Sequence, residues 1–179
     1  MSNFAAAVVR AVDEWSAHEV SLNDAADIED VADALREVSP SADVSLLFVE
    51  SNDEYLVILR LDQGEDLRVF GSDVAFAEES RLGALLLGEV AQPPVELAAV
   101  DLEVPEPATD EADDGDSPGS TAPADAEPAG DADLLADLGV PAVRLLELCG
   151  QDGMLPSDIT AEVCQALGCG DEVEELREA

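Results

Sequence analysis

Apolar residues along this chain fall into two rhythms, separated by a stretch that has neither. Residues 44–50 (VSLLFVE) and 55–61 (YLVILRL) are β-branched and aliphatic runs, split by the turn-forming Ser51-Asn52-Asp53. A second turn at Asp62-Gln63-Gly64 leads into Leu67 to Phe70, which predicts a three-stranded meander. Ahead of it, Ile28, Val31, Leu35 and Val38 recur at helical spacing behind a Ser/Asn/Asp-rich entry. That is the pattern of an amphipathic helix over 23–38 with one buried stripe. Ser72 or Asp73 caps a further helix, VAFAEES, running on towards Leu86. The first twenty residues admit two readings. FAAAVVRAV suits a helix, since alanine is the best helix former. It also suits a pair of strands, 3–10 and 15–20, joined through Asp13-Glu14.

Helical spacing returns after residue 130 in four short stretches. Leu134, Leu135 and Leu138 lie on the first, which Gly139 ends. Pro141 opens the second, with Val143, Leu145, Leu146 and Leu148. Pro156-Ser157 opens the third, with Ile159, Val163 and Leu167, and Gly168 closes it. The last, 171–178, carries Val173 and Leu176. Proline at the start and glycine at the end is the asymmetry that helix termini favour. About fifty residues of short helices make a marginal domain alone. This region is therefore expected to dock onto the N-terminal part or onto a partner.

Between the two lies AQPPVELAAVDLEVPEPATDEADDGDSPGSTAPADAEPAG, residues 91–130, without one basic residue. Such a segment buries too little apolar surface to offset the entropy of ordering, and its charges repel, so a disordered, extended linker is expected. The expected organisation is an α+β domain over 1–90, the acidic linker over 91–130 and a helical C-terminal region over 131–179.

Composition sharpens the picture. The chain of 179 residues carries 7 basic and 43 acidic side chains, a formal net charge of −36. Every basic residue is arginine, and lysine is absent. Proteins that hold nucleic acid neutralise phosphates with clustered Lys and Arg, so this field argues against direct nucleic-acid binding and against anionic membranes. It favours a basic protein surface as partner, although high net charge also serves solubility alone. The start has no basic region leading into a long apolar run, and no apolar run approaches the roughly 20 residues that span a bilayer. Cys149, Cys164 and Cys169 are odd in number and lie in one segment, so free thiols in a reducing cytoplasm are expected.

Catalytic patterns are missing. Zinc deaminases use His-x-Glu and Pro-Cys-x-x-Cys, whereas here the only histidine, His18, is followed directly by Glu19, and no cysteine pair has that spacing. The run DEADDGD at 110–116 fails as a calcium loop, because Ala112 and Thr121 fall where ligands belong. A lysine-dependent phosphate loop is impossible, and no nucleophile has a second histidine to activate it. No enzyme activity, cofactor or metal is expected. Trp15 and Tyr55 read as core-edge residues. Arg60, Arg68 and Arg81 stand out in so anionic a chain, either paired with neighbouring carboxylates or reserved for a partner.

A resemblance is carried by FAAAVVRAVDEW, by RLDQGEDLRVFGSDVAFAEESRLGALLLGE, and by GDADLLADLGVPAVRLLELC with ITAEVCQALGCGDEVEELR beyond the linker. These segments, about three quarters of the chain, resemble the actinobacterial tRNA adenosine deaminase-associated proteins. Arg60, Asp62, Arg68, Ser72, Asp73, Gly83, Asp131, Leu134, Leu135, Gly139, Gly168 and Leu176 fit that pattern. The resemblance favours the hairpin reading of the first twenty residues. The order becomes ββαβββα, an antiparallel sheet with helices on one face, similar in element order to roadblock or profilin-like modules, in which a homodimer is conceivable. It also implies an accessory protein associated with the deaminase that forms inosine in tRNA, with no catalytic residues to carry over. Candidate partner-binding residues are Arg60, Arg68 and Arg81 with the acidic run Asp110, Glu111, Asp113, Asp114 and Asp116.

Overall fold

The structure, a computed structural model, describes residues 3–51, 54–88, 128–151 and 153–179. The chain opens with the hairpin β1 (Asn3–Ala11) and β2 (Glu14–Glu19), then helix α1 (Ile28–Val38). The meander β3 (Val44–Ser51), β4 (Tyr55–Asp62) and β5 (Asp66–Gly71) follows, and leads to α2 (Val74–Glu79) and α3 (Arg81–Leu87). Beyond residues 89–127 come β6 (Ala129–Gly130), a 3₁₀ helix (Ala132–Leu138), and helices α4 (Ala142–Cys149), α5 (Pro156–Leu167) and α6 (Gly170–Glu178). This is the expected ββαβββα order, with the last helix in two pieces. The acidic stretch expected as a linker lies, up to residue 127, outside the described residues. Its end contains β6, which pairs with Phe70 and Gly71 at the edge of β5.

All strands are antiparallel in one sheet of order β2-β1-β3-β4-β5-β6. Side chains alternate between its faces. Ala7, Leu47, Val49, Val57, Leu59 and Val69 meet Ile28, Val31 and Leu35 of α1 and Leu86 and Leu87 of α3. The intervening positions, Val8, Leu46, Phe48, Leu56, Ile58 and Phe70, form a second core with Leu134, Leu135, Leu145, Leu148, Ile159, Val163 and Val173. The sequence reading placed helices on one face only. Both faces are covered because β3 and β4 are apolar at successive positions, and such strands are found where a sheet is buried on both sides. Of the two destinations expected for the C-terminal helices, the N-terminal part is the one they occupy.

The break between α2 and α3 has a local cause. Ser80 is extended (φ −105°, ψ 143°) and its Oγ accepts the Gly83 N–H at 2.8 Å while sharing a hydrogen bond with the Tyr55 hydroxyl. The two short helices pack so closely that a Cβ on Gly83 would lie 2.2 Å from the Ala77 carbonyl oxygen.

The β1–β2 turn sits one residue earlier than expected, on Val12-Asp13, with Ala11 opposite Glu14. Both turn residues have positive φ, 50° and 67°, as two-residue hairpins of the favoured twist demand. A β-branched side chain is disfavoured there, and Val12 is 89% exposed, so it gains no burial in return. Val12→Asn is expected to stabilise the fold by about 1 kcal/mol, seen as a raised midpoint in urea with an unchanged slope.

Candidate functional site

On β4, the positions that face the C-terminal helices are Leu56, Ile58 and then Arg60. A guanidinium follows two leucine-class side chains on the same face, and Arg60 is only 4% exposed. A buried cation is tolerated only if its donors are met. They are met from both sides. Arg60 Nε donates to Asp62 Oδ1 at 2.9 Å, Nη2 donates to Asp137 Oδ2 at 2.7 Å, and Nη1 donates to Asp137 Oδ1 and to the Leu134 carbonyl. Hydrogen bonding to Asp137 above all, then to Asp62, holds the Arg60 guanidinium well above its ordinary range against the opposing cost of burial. The same bond holds the Asp137 carboxyl below its ordinary range.

Arg68 stands directly across from Arg60 in the β4–β5 register, an arrangement of like charges that alone destabilises a sheet. Asp62 resolves it by taking Arg60 on one oxygen and Arg68, at 2.8 Å, on the other. Asp131 approaches Arg68 at 3.7 Å and also caps the 3₁₀ helix by accepting the Asp133 N–H at 3.0 Å. Strand ends and the start of the C-terminal region are thus joined by one charged cluster. A second clasp closes the other end of the same face. Arg177 of α6 pairs with the largely buried Glu50 of β3 and lies over the Phe4 ring, 4.8 Å from its centroid.

Two of the three candidate arginines, Arg60 and Arg68, are therefore brought together, and they bind carboxylates of this chain. Arg81 lies elsewhere, exposed at the first turn of α3 and, among the described residues, in no ion pair. Asp110, Glu111, Asp113, Asp114 and Asp116 lie outside the described residues. Sequence reasoning missed Asp137 as Arg60's main partner and the Glu50–Arg177 pair. The need for a partner, though not its identity, was signalled: a lone charge within YLVILRL, on the alternation of Leu56 and Ile58, calls for a counter-ion.

Other candidate chemistry is placed as follows. All three cysteines are free thiols, Cys164 and Cys169 buried and Cys149 half-buried. Hydrogen bonding to Cys169 and then burial push the Cys164 thiol up, and burial pushes Cys149 up to about 11, so both are poor thiolates at neutral pH. His18 is exposed on β2, and no group of three metal-ligating side chains converges among the described residues. Tyr55 is buried, and Trp15 is half-buried against the second core beneath Arg10, 5.7 Å from its ring centroid.

A sequence model described as the Rv3753c-like tRNA adenosine deaminase-associated protein matches residues 3–170, spanning the sheet and the C-terminal helices as far as the start of α6. The chain belongs to this family. No curated protein matches it, and no solved structure does. The residues that carry the tRNA adenosine deaminase-associated pattern now have positions. Arg60, Asp62, Arg68, Asp131 and Leu134 are the charged seam itself, while Gly139 and Gly168 end helices at φ 107° and 88°. Ser72 Oγ accepts the Leu56 N–H at 2.9 Å, and Asp73 Oδ1 accepts that of Ala75 at 3.0 Å. The residues on which the resemblance rests thus have structural roles in this chain.

Asp137 gives the seam a pH dependence. Its folded carboxyl titrates below the ordinary value of 3.8, so its contribution to stability is complete at neutral pH and is lost as the pH falls below that value. Asp137 is largely solvent-exposed, which reduces the energy at stake. Asp137→Asn is expected to cost about 1 kcal/mol at pH 7, with the difference from wild type shrinking in acid, as read by denaturant titration at a series of pH values. Arg60→Ala takes the ion-pair partner from Asp137, leaves Asp62 with Arg68 alone and opens a void, at an expected cost of about 3 kcal/mol.

Proposed function

We propose that this chain is a non-catalytic accessory protein that binds tRNA adenosine deaminase and, by occupying its basic tRNA-binding face, modulates its access to substrate. The observation that carries this reading is membership in a family described by its association with that deaminase. Charge supports it. Six of the seven arginines pair with carboxylates of the chain itself, so the field presented outward is that of a molecule with a formal net charge of −36. Complementary fields speed encounter with a cationic surface and make the complex salt-sensitive. No helix among the described residues is long and apolar enough to cross a membrane. A cytoplasmic site of action accords with the free thiols and with a tRNA-modifying partner.

A second reading, a nucleic-acid mimic directed at some other basic protein, is favoured by the acidic run around Asp110 to Asp116. The two differ in which residues matter. In the mimic reading, removing residues 101–127, which spares β6, abolishes binding; in the accessory reading, the folded surfaces retain it.

The test is co-purification and direct titration with the host's tRNA adenosine deaminase at low and moderate salt. A stoichiometric complex is expected, weakened about tenfold or more as added salt screens the opposed fields. Absence of a complex at both salts, or an affinity indifferent to salt, sinks the electrostatic accessory reading.

A further inference from the structure

One end of the first core reaches the surface without being closed. Between the loop after β2 and the α2–α3 corner lies a half-open cleft of about 650 Å³. Its floor is apolar: Val20 and Leu22 from the loop, Leu82 and Leu85 from α3, all only half-buried and continuous with the buried cluster around Tyr55 and Leu86. Its rim is charged. Glu19, Glu54 and Glu79 surround it with Arg81 as the single cation, and none of the four is in an ion pair among the described residues.

We propose that this cleft is a docking groove for a basic peptide segment of a protein partner, anchored by a large apolar side chain. The volume suits a few side chains. An apolar floor ringed by charge is the anatomy of a protein interface rather than of a site that reads a small polar molecule. No buried side-chain polar atom among the described residues is left unpaired to do such reading. Three carboxylates against one guanidinium select a cationic occupant. A second copy of this chain, without lysine and rich in carboxylates, and an anionic lipid surface would both bring negative charge to a negative rim. The inference rests on the accessory reading for the identity of the partner, and it turns a diffuse acidic attraction into a defined foothold.

The experiment uses the full chain and three forms of it: wild type, Leu82→Ser, and the exposed charge-reversal pair E54K/E79K. Each is titrated with purified deaminase, and its thermal midpoint is recorded. Each variant is expected to bind about tenfold or more weakly than wild type, the range of an interface anchor, with an unchanged midpoint for the charge pair. Groove variants that bind as wild type does overturn the groove and leave the accessory reading standing. If wild type binds no deaminase, that reading falls and the groove is judged by a synthetic twelve-residue leucine–lysine peptide and its leucine–glutamate counterpart. Amide shifts confined to residues 19–25 and 79–85, given by the lysine peptide alone and lost in both variants, support the groove. Shifts elsewhere, none at all, or equal binding of the glutamate peptide overturn it, as does self-association of the chain that the same variants abolish.

Discussion

A sheet whose central strands are apolar on both faces must be covered twice, and this requirement organises the molecule. Strands β3 and β4 place Leu47, Val49, Val57 and Leu59 on one side and Leu46, Phe48, Leu56 and Ile58 on the other, all buried. Each such side chain gains about 1.5–3 kcal/mol by leaving water, so one uncovered face would forfeit an amount comparable to a small domain's whole stability. The helices between Ile28 and Leu87 close one side only. The C-terminal helices, too short to build a core among themselves, close the other. Each half supplies the surface the other lacks. Arg60 adds precision to an otherwise non-directional union, because a buried guanidinium is tolerated only where the Leu134 carbonyl and Asp137 meet it.

Much of this was legible in the sequence. β-Branched and aliphatic runs split by turns marked β3 to β5, the stripe of Ile28, Val31 and Leu35 marked α1, and Gly139 and Gly168 marked helix ends that both prove left-handed. The double coverage was written there too, in runs such as VSLLFVE that are apolar without alternation. A meander with one helical layer accounts for the same strands, which is why that signal does not decide the matter by itself. The β1–β2 turn was misplaced by one residue for a physical reason: valine is a poor occupant of positive φ, and Val12 takes it because the strand register leaves no other residue to do so. The pairing of Arg60 with Asp137 lay beyond reach, since nothing local in a sequence says which of 43 acidic residues will meet a given cation.

The same reasoning bears on function. Several of the residues that carry the resemblance, Arg60, Asp62, Arg68, Asp131 and Leu134, meet at the seam between sheet and C-terminal helices, where they hold the fold together. The arginines of that seam are engaged by carboxylates of the same chain. Arg81 and the carboxylates around the open cleft stand beside half-buried apolar side chains and, among the described residues, are in no ion pair. Recognition, on this view, lies where the first core is left unfinished, away from the residues that make the family easy to see.

Closure of the second face by a distant part of the same chain has a further consequence. The C-terminal helices are joined to α3 through residues 89–127, a connection with a contour of roughly 3.3–3.6 Å per residue, far longer than the face they cover. Nothing in the contacts of Arg60 with Asp137, or of Arg177 with Glu50, records whether the two partners belong to one polypeptide. The same contacts between two molecules would have to form against the repulsion of two chains of net charge −36. The length of the connection therefore sets the local concentration at which the C-terminal helices meet their own sheet, and with it how firmly the second face stays closed.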